Sequence, residues 1–415
     1  MYSAAFDLGT TTIVGYLCDP VSGRIVRSVS EPSAQIECGL DVLSRASYKS
    51  ASPENALRLS NLLGDQVVRM SSELLNDPDD GSDRAESDNG CSYYDRKDKD
   101  IRAVLVGNPV IMGSIAGYDF KIHGIDAIRI PGIGHYVGAD ALAASFTADS
   151  DRRGRNIIVV DIGTNTEIVF LNDHKKTATS AAAGPAMEGG NLHCGMRGED
   201  GAIEYVSLTG TVTTNCDLIY KVVGGVHAKG ICGSGYFSLL KTLLDVGAIN
   251  NDGYLLSKDE ALRANVPGRI ASRIHENNDS DSADFKGRFL SLTDEICVLQ
   301  EDIRNLQLAI SGIRTGIEIV IRESGLTNSV IDNVYLAGAF GNKITIDSLI
   351  ACGLLPEELN DKVIQVGNIA GLGACSFTLD ESKITDAIKL KNEILTVSLA
   401  EHADFGRLFL ENMHF

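Results

Sequence analysis

The sequence predicts a duplicated α/β fold on three observations. An apolar strand ends in Asp7-Leu8-Gly9-Thr10-Thr11-Thr12, and a second ends in Asp161-Ile162-Gly163-Thr164-Asn165-Thr166, 154 residues later. Each opens its half of the chain with the same strand–turn–strand pattern. The 415 residues suffice for two domains or two halves of one fold, since a single core stops growing at about 250–300 residues.

In the first half, Ala4–Asp7, Thr12–Cys18 and Arg24–Ser28 read as strands joined by turns at 8–11 and 19–23. Leu40–Lys49 and Pro53–Leu75 read as helices. In the second helix Leu57, Leu59, Leu62, Leu63, Val67, Met70 and Leu74 recur at helical spacing. The Asp/Ser/Gly/Asn-rich stretch 76–100 cannot bury enough to order itself and is expected to be an exposed, mobile insert without chemistry. A buried strand follows at Ile101–Val106, then helices near Pro109–Ala116 and Ala139–Phe146 and a charged linker at Ala148–Arg155. The second half restarts with strands Ile157–Asp161 and Glu167–Leu171. Helix Gly233–Val246, a polar loop His275–Lys286, the amphipathic helix Glu301–Glu323, and strands Val334–Ala337 and Ile394–Leu399 complete it. The expected domains are 1–152 and 153–415, with the C-terminal segment packing back on the first.

Composition excludes several functions. A net charge of −19 repels a nucleic-acid backbone. Only 6% of residues are aromatic and Trp is absent, so no stacking platform for single strands is available. No apolar run approaches about 18 residues, and the N-terminus shows no basic region or cleavage site, so neither a membrane span nor a secretory signal is expected. The nine cysteines are odd in number and never spaced Cys-x-x-Cys. Buried, reduced thiols in a cytoplasmic protein are therefore expected, without a disulfide framework or a local zinc or iron–sulfur site. None of the eight histidines forms a His-x-x-x-His or His/Asp pair with metal-site spacing.

The two Asp-x-Gly-Thr turns carry the chemistry. Gly9 and Gly163 lack a Cβ and let the backbone approach an anion. Successive N–H groups and the hydroxyls of Thr10, Thr11, Thr12 and Thr164, with Asn165, then make a nest for phosphate oxygens. Asp7 and Asp161 can hold Mg²⁺ through water. Either turn alone could be a plain hairpin with a capping Asp; two, each opening a half of the chain, point to a nucleotide. In Gly338-Ala339-Phe340-Gly341-Asn342 a strand runs into small residues, which would let a purine or ribose lie against the backbone, or simply allow close packing. Gly230–Gly235 precedes a helix, so Gly233 and Ser234 are candidate anion contacts, and Cys232 reads as a packing residue. The loop Gly184–Gly190 holds Glu188, which could orient a water or bind Mg²⁺ indirectly, or merely cap a helix. Glu167 is open to the same two readings.

These motifs, in this order, fit the actin/sugar-kinase/heat-shock-chaperone superfamily: a ribonuclease-H-like, actin-type ATPase fold with two lobes around a nucleotide cleft. The runs VVDIGTNTEIVF, AAGPAMEGGNLHCGMRGEDGAIE, GICGSGY, YLAGAFGN and VGNIAGLGA, with DLGTTTIVGYLCD, GLDVLSRA, VGNPVIMG and VGADALAA upstream, resemble the ATPase domain of the reductive activators of corrinoid proteins across nearly the whole chain. The resemblance implies ATP and Mg²⁺ gripped from both sides by the two turns. It also implies hydrolysis coupled to re-reduction of an inactive Co(II) corrinoid protein to Co(I). Many such activators carry an amino-terminal iron–sulfur domain. Here Phe6 already lies in the first strand and no cysteine cluster occurs, so no iron–sulfur cluster is expected in this chain, and a separate iron–sulfur or flavin protein would donate the electron. The family's Asn-Pro-Gln run is replaced by Glu31-Pro32-Ser33-Ala34-Gln35. A homodimer is one possible assembly. The alternatives are a small-molecule kinase, with Asp41 or Asp140 as its base, and a non-catalytic nucleotide-switched binding protein.

Overall fold

The computed structural model describes residues 3–76, 102–107, 119–134, 136–151, 155–211, 215–277, 286–341 and 343–415. It resolves into two compact units. One comprises Met1–Gly154, Leu171–Ala178 and Asn368–Thr396; the other comprises Arg155–Phe170, Thr179–Gly367 and Val397–Phe415. The expected insert 76–100, apart from Asn76, and the helix near Pro109–Ala116 lie outside the described residues.

The first unit is built on β1 (Ser3–Leu8), β2 (Thr12–Asp19), β3 (Arg24–Pro32), β4 (Arg102–Gly107), β5 (Asp119–Ile122) and β6 (Ile125–Arg129), in the order β3-β2-β1-β4-β6-β5. β1 is central because Ala4, Ala5 and Phe6 are apolar on both faces and fully buried. The helix Pro53–Leu75 starts where Ser52 accepts the Asn55 N–H and Pro53 fills a first-turn position that needs no donor. Its stripe Leu63, Val67, Met70 and Leu74 packs with Phe6, Leu8 and Leu105 in one core. The helices Ala139–Asp151 and Ile369–Leu379 pack together, with Phe146 and Phe377 ring centroids 5.2 Å apart.

The second unit repeats the opening. Strands β7 (Ile157–Ile162), β8 (Thr166–Leu171) and β9 (Lys176–Ala181) are neighbours, as β1, β2 and β3 are. Next come β10 (Ala202–Leu208), β11 (Leu218–Val222) and β12 (Gly230–Ile231), ordered β11-β10-β12, and then β13 (Ile274–Asn277), β14 (Gly287–Ser291) and β15 (Cys297–Leu299) in a second small sheet. Finally, β16 (Asn333–Ala337) and β17 (Val363–Gly367) lie beside β7 in the order β17-β16-β7-β8, and β18 (Ile394–Thr396) pairs in parallel with Lys176–Ala178 of β9, these last segments being counted in the first unit. The helix Gln300–Glu323 turns Ile303, Leu306, Ile310, Ile313, Ile317 and Val320 into the core shared with Ile158, Val160 and Phe170. Among the described residues no helix is long and apolar enough to cross a membrane.

Three sequence expectations are corrected. The helix from Ala139 runs to Asp151 rather than Phe146, so the first half of the expected linker is its last turn. The polar loop 275–286 begins inside a strand and ends just before another, because Ile274–Asn277 pairs antiparallel with Gly287–Ser291; its centre, 278–285, lies outside the described residues. The final strand stops at Thr396.

Candidate functional site

Asp7 lies one residue from the end of β1, opposite Val14 of antiparallel β2 and Val106 of parallel β4. Its half-buried carboxylate accepts a 2.7 Å hydrogen bond at Oδ2 from the Asn368 side-chain amide. Asn368 is itself fixed as the N-cap of Ile369–Leu379, its Oδ1 accepting the Gly371 N–H at 2.6 Å. Burial and then the nearby Asp140 charge push the Asp7 carboxyl up to about 7, while the Asn368 bond pulls it down. Asp140, in the first turn of Ala139–Asp151, accepts the Ala141 N–H at 2.8 Å, and burial raises it as well. Burial and then the charge of Asp7 likewise push the Tyr16 hydroxyl up. Two carboxyl groups held this way are relieved by a divalent cation, which lets both ionise. The residues therefore fit Mg²⁺ on their own chemistry.

The turn after Asp7 is fastened from behind. A Cβ on Gly9 would lie 2.4 Å from the Thr12 carbonyl oxygen, so only glycine fits this turn. The Thr11 carbonyl accepts the Ser33 N–H at 2.9 Å. The Thr10 carbonyl accepts from the guanidinium of Arg45, a fully buried side chain on helix Val42–Ala51. Arg45 Nε also donates to the Gly39 carbonyl at 2.9 Å, and Nη1 to Gln35 Oε1 at 3.4 Å. Burial lowers Arg45 to about 10, so it stays charged at neutral pH beneath the turn. Sequence reasoning missed Arg45; an arginine on the apolar side of an amphipathic helix was the available signal.

In the second unit Asp161 occupies the equivalent place, opposite Ala337 of parallel β16. The Gly163 N–H donates to the Asn165 carbonyl at 3.2 Å and closes the turn. Thr164 is 3% exposed, and its hydroxyl finds no partner among the described residues. Such a buried orphan is costly, and it suits a phosphate oxygen. Gly338, at φ 89°, opens the short helix Gly338–Gly341 against Asp161; a Cβ there would sit 2.5 Å from the Ile162 carbonyl oxygen and 2.8 Å from Asp161 Oδ1. The second turn and the Gly338–Gly341 motif are thus adjacent. Gly107 does the same for Leu8 in the first unit. Ala339 and Phe340 belong to the short helix, and Asn342 lies outside the described residues.

Glu188 ends the 3₁₀ turn Pro185–Glu188, entered through Gly184 at φ 71°, and its Oε1 lies 3.9 Å from where a Gly163 Cβ would be. It is therefore beside the Asp161 turn. Glu167, at the start of β8, accepts from Ser180 Oγ at 3.4 Å. Gly233 and Ser234 are buried at the start of the helix Gly233–Asp245, and the Ser234 hydroxyl is engaged with the Glu204 carbonyl at 2.9 Å. Cys232 is buried and packs its Sγ 3.4 Å from the Ile203 carbonyl. The eight described cysteines are free, six of them buried.

Residues 155–415 match the family model described as the C-terminal domain of RACo, the ASKHA domain, and residues 2–84 match the RACo middle region. The whole chain is 30% identical to the corrinoid activation enzyme RamQ of Eubacterium limosum and spans 70% of that protein. Over 68% of its length it is 26% identical to the [Co(II) methylated amine-specific corrinoid protein] reductase of Methanosarcina barkeri, spanning half of that protein. A solved reductive activator for corrinoid, iron–sulfur protein superposes on the full chain with a TM-score of 0.77 and 26% identity; the chain spans 66% of it.

Proposed function

Because the chain belongs to the RACo family of reductive activators of corrinoid proteins, with the ASKHA type of actin-like fold, we propose that it is an ATPase that activates a corrinoid protein. The observation that carries this reading is the repeated Asp-x-Gly-Thr turn, each at the end of a central strand with a parallel neighbour. In each unit taken by itself, the backbone N–H groups and hydroxyls of its turn, Gly9–Thr12 in the first and Gly163–Asn165 in the second, are the candidate contacts for ATP phosphates, with Gly338 beside the second turn. Asp7, with Asp140 sharing the charge beside it, and, in the other unit, Asp161 are each candidates to hold Mg²⁺ through water. The cation, when bound, neutralises phosphate charge. Glu188, beside Gly163, is placed to orient a water for hydrolysis, and Glu167 is the other candidate.

The reaction adds one electron to Co(II) of the partner corrinoid protein to give Co(I), with ATP hydrolysed to ADP and phosphate. A separate low-potential iron–sulfur or flavin protein supplies the electron in the cytoplasm. The nucleotide acts by favouring a state of the activator–corrinoid complex in which this electron transfer is feasible. The kinase alternative is weakened at Asp41, whose carboxylate caps Val42–Ala51 by accepting the Ser44 N–H at 2.7 Å. The test is incubation of the chain with Mg²⁺, a low-potential chemical reductant and a Co(II) corrinoid protein, with and without ATP, following Co(I) by absorbance. Co(I) formation that requires ATP is expected. Equal rates in its absence would remove the proposal.

A further inference from the structure

Outside the turns, the fold of the second unit brings together three soft-ligand side chains from distant parts of the sequence. A ring nitrogen of His193 and the sulfurs of Cys194 and Cys297 all lie within 4.8 Å of one another. We propose that His193, Cys194 and Cys297 form a binding site for a single Zn²⁺ ion. One imidazole and two thiolates are the donor set that a d¹⁰ thiophilic cation selects, and a fourth position left to water completes a tetrahedron. Ligands of such an ion stand about 3.3–3.8 Å apart at Zn–S distances of about 2.3 Å, so small side-chain adjustments close the site.

The surroundings hold the ligands in place. Asp302, 2% exposed, accepts the His193 N–H at Oδ1 (2.7 Å) and the Leu299 N–H at Oδ2 (2.9 Å). One buried carboxylate thus clamps the His193–Cys194 segment to the strand that carries Cys297. The Cys194 carbonyl accepts the Ile231 N–H at 2.8 Å, and the Gly195 N–H donates back to Leu192 at 3.0 Å. The Cys297 N–H donates to Cys194 Sγ at 3.4 Å, a bond that stabilises a metal-bound thiolate from outside the coordination sphere. Both cysteines are partly exposed and His193 is exposed, so an ion can enter. No local spacing signals the site, because the thiols are 103 residues apart.

The test uses the full chain, stripped with a chelator and kept reduced, titrated with Co²⁺ alone as a spectroscopic probe and then with Zn²⁺. One equivalent of Co²⁺ should give the intense visible bands of a tetrahedral thiolate complex, and Zn²⁺ should abolish them. Cys194→Ser and Cys297→Ser should each remove the bands, and His193→Ala should weaken binding about tenfold or more. In the unmutated chain Zn²⁺ should protect Cys194 and Cys297 from alkylation, located by mass spectrometry; this arm needs no variant to fold. An octahedral Co²⁺ spectrum at one equivalent, full binding by Cys297→Ser, or protection absent from both cysteines would overturn the proposal.

Discussion

The Asn368 amide spans 361 residues of sequence to donate to Asp7 Oδ2 at 2.7 Å, while its own carbonyl oxygen caps the helix that follows it. The candidate Mg²⁺ carboxylate is thereby oriented by the end of a helix rather than by its own turn.

Asp7 titrates near 7 in the fold, against 3.8 ordinarily. Between those values the folded chain holds the extra proton, so this group makes stability fall as pH rises from about 4 to about 7, and leaves it level above. Asp7→Asn should flatten part of that slope, the remainder belonging to Asp140. In Mg²⁺-free buffer at pH 8 it should be more stable than the parent by up to about 4 kcal/mol, while losing ATP turnover. Denaturant titrations at pH 5 and pH 8 check the first claim; an unchanged slope would show that Asp7 is not the group responsible.

Asp161→Ala should abolish ATP hydrolysis with the fold intact, read by phosphate release and circular dichroism. Gly338→Ala should impair the same step differently. Its Cβ would press on the Ile162 carbonyl and Asp161 Oδ1 at a φ that L-residues resist, costing about 1–3 kcal/mol. Wild-type turnover in Asp161→Ala would take that carboxylate out of the mechanism.

Thr164→Val separates binding from folding. The hydroxyl has no partner among the described residues, so its loss should leave the nucleotide-free melting temperature unchanged or raised. ATP affinity should fall by about tenfold, the cost of one hydrogen bond to a charged group. Calorimetric titration reads this directly, and unchanged affinity would place the nucleotide elsewhere.

Arg45→Met should destabilise the first unit by about 2–4 kcal/mol, since the Gly39 and Thr10 carbonyls lose a buried donor. Arg45→Lys should recover little, because an ammonium cannot replace the three-way fork. Thermal melts of the two variants check the order, and a Lys variant equal to the parent would contradict it.

The strands and both Asp turns were legible because each ends an apolar run with residues that only a tight turn uses, and helix Pro53–Leu75 was marked by its apolar stripe. The partners of the turns were not. Arg45, Asn368 and Asp140 reach Asp7 and its turn through tertiary packing from 35 to 361 residues away, which no local pattern encodes. The cluster of His193, Cys194 and Cys297 was hidden for the same reason: motif spacing reveals a metal site only when its ligands are neighbours in sequence.

The three-part make-up of the first unit bears on how the chain is synthesised. Its N-terminal 154 residues lack the helix Ile369–Leu379, whose Gly373 seats against the Ala143 carbonyl and whose Phe377 meets Phe146. A nascent chain emerging at about 5–20 residues per second therefore leaves this apolar face uncovered for many seconds after β1 to β4 have left the ribosome. The second unit's 179–367 is translated in between. Completion of the first unit is thus a late event, and the interval before it is when chaperones have most to guard.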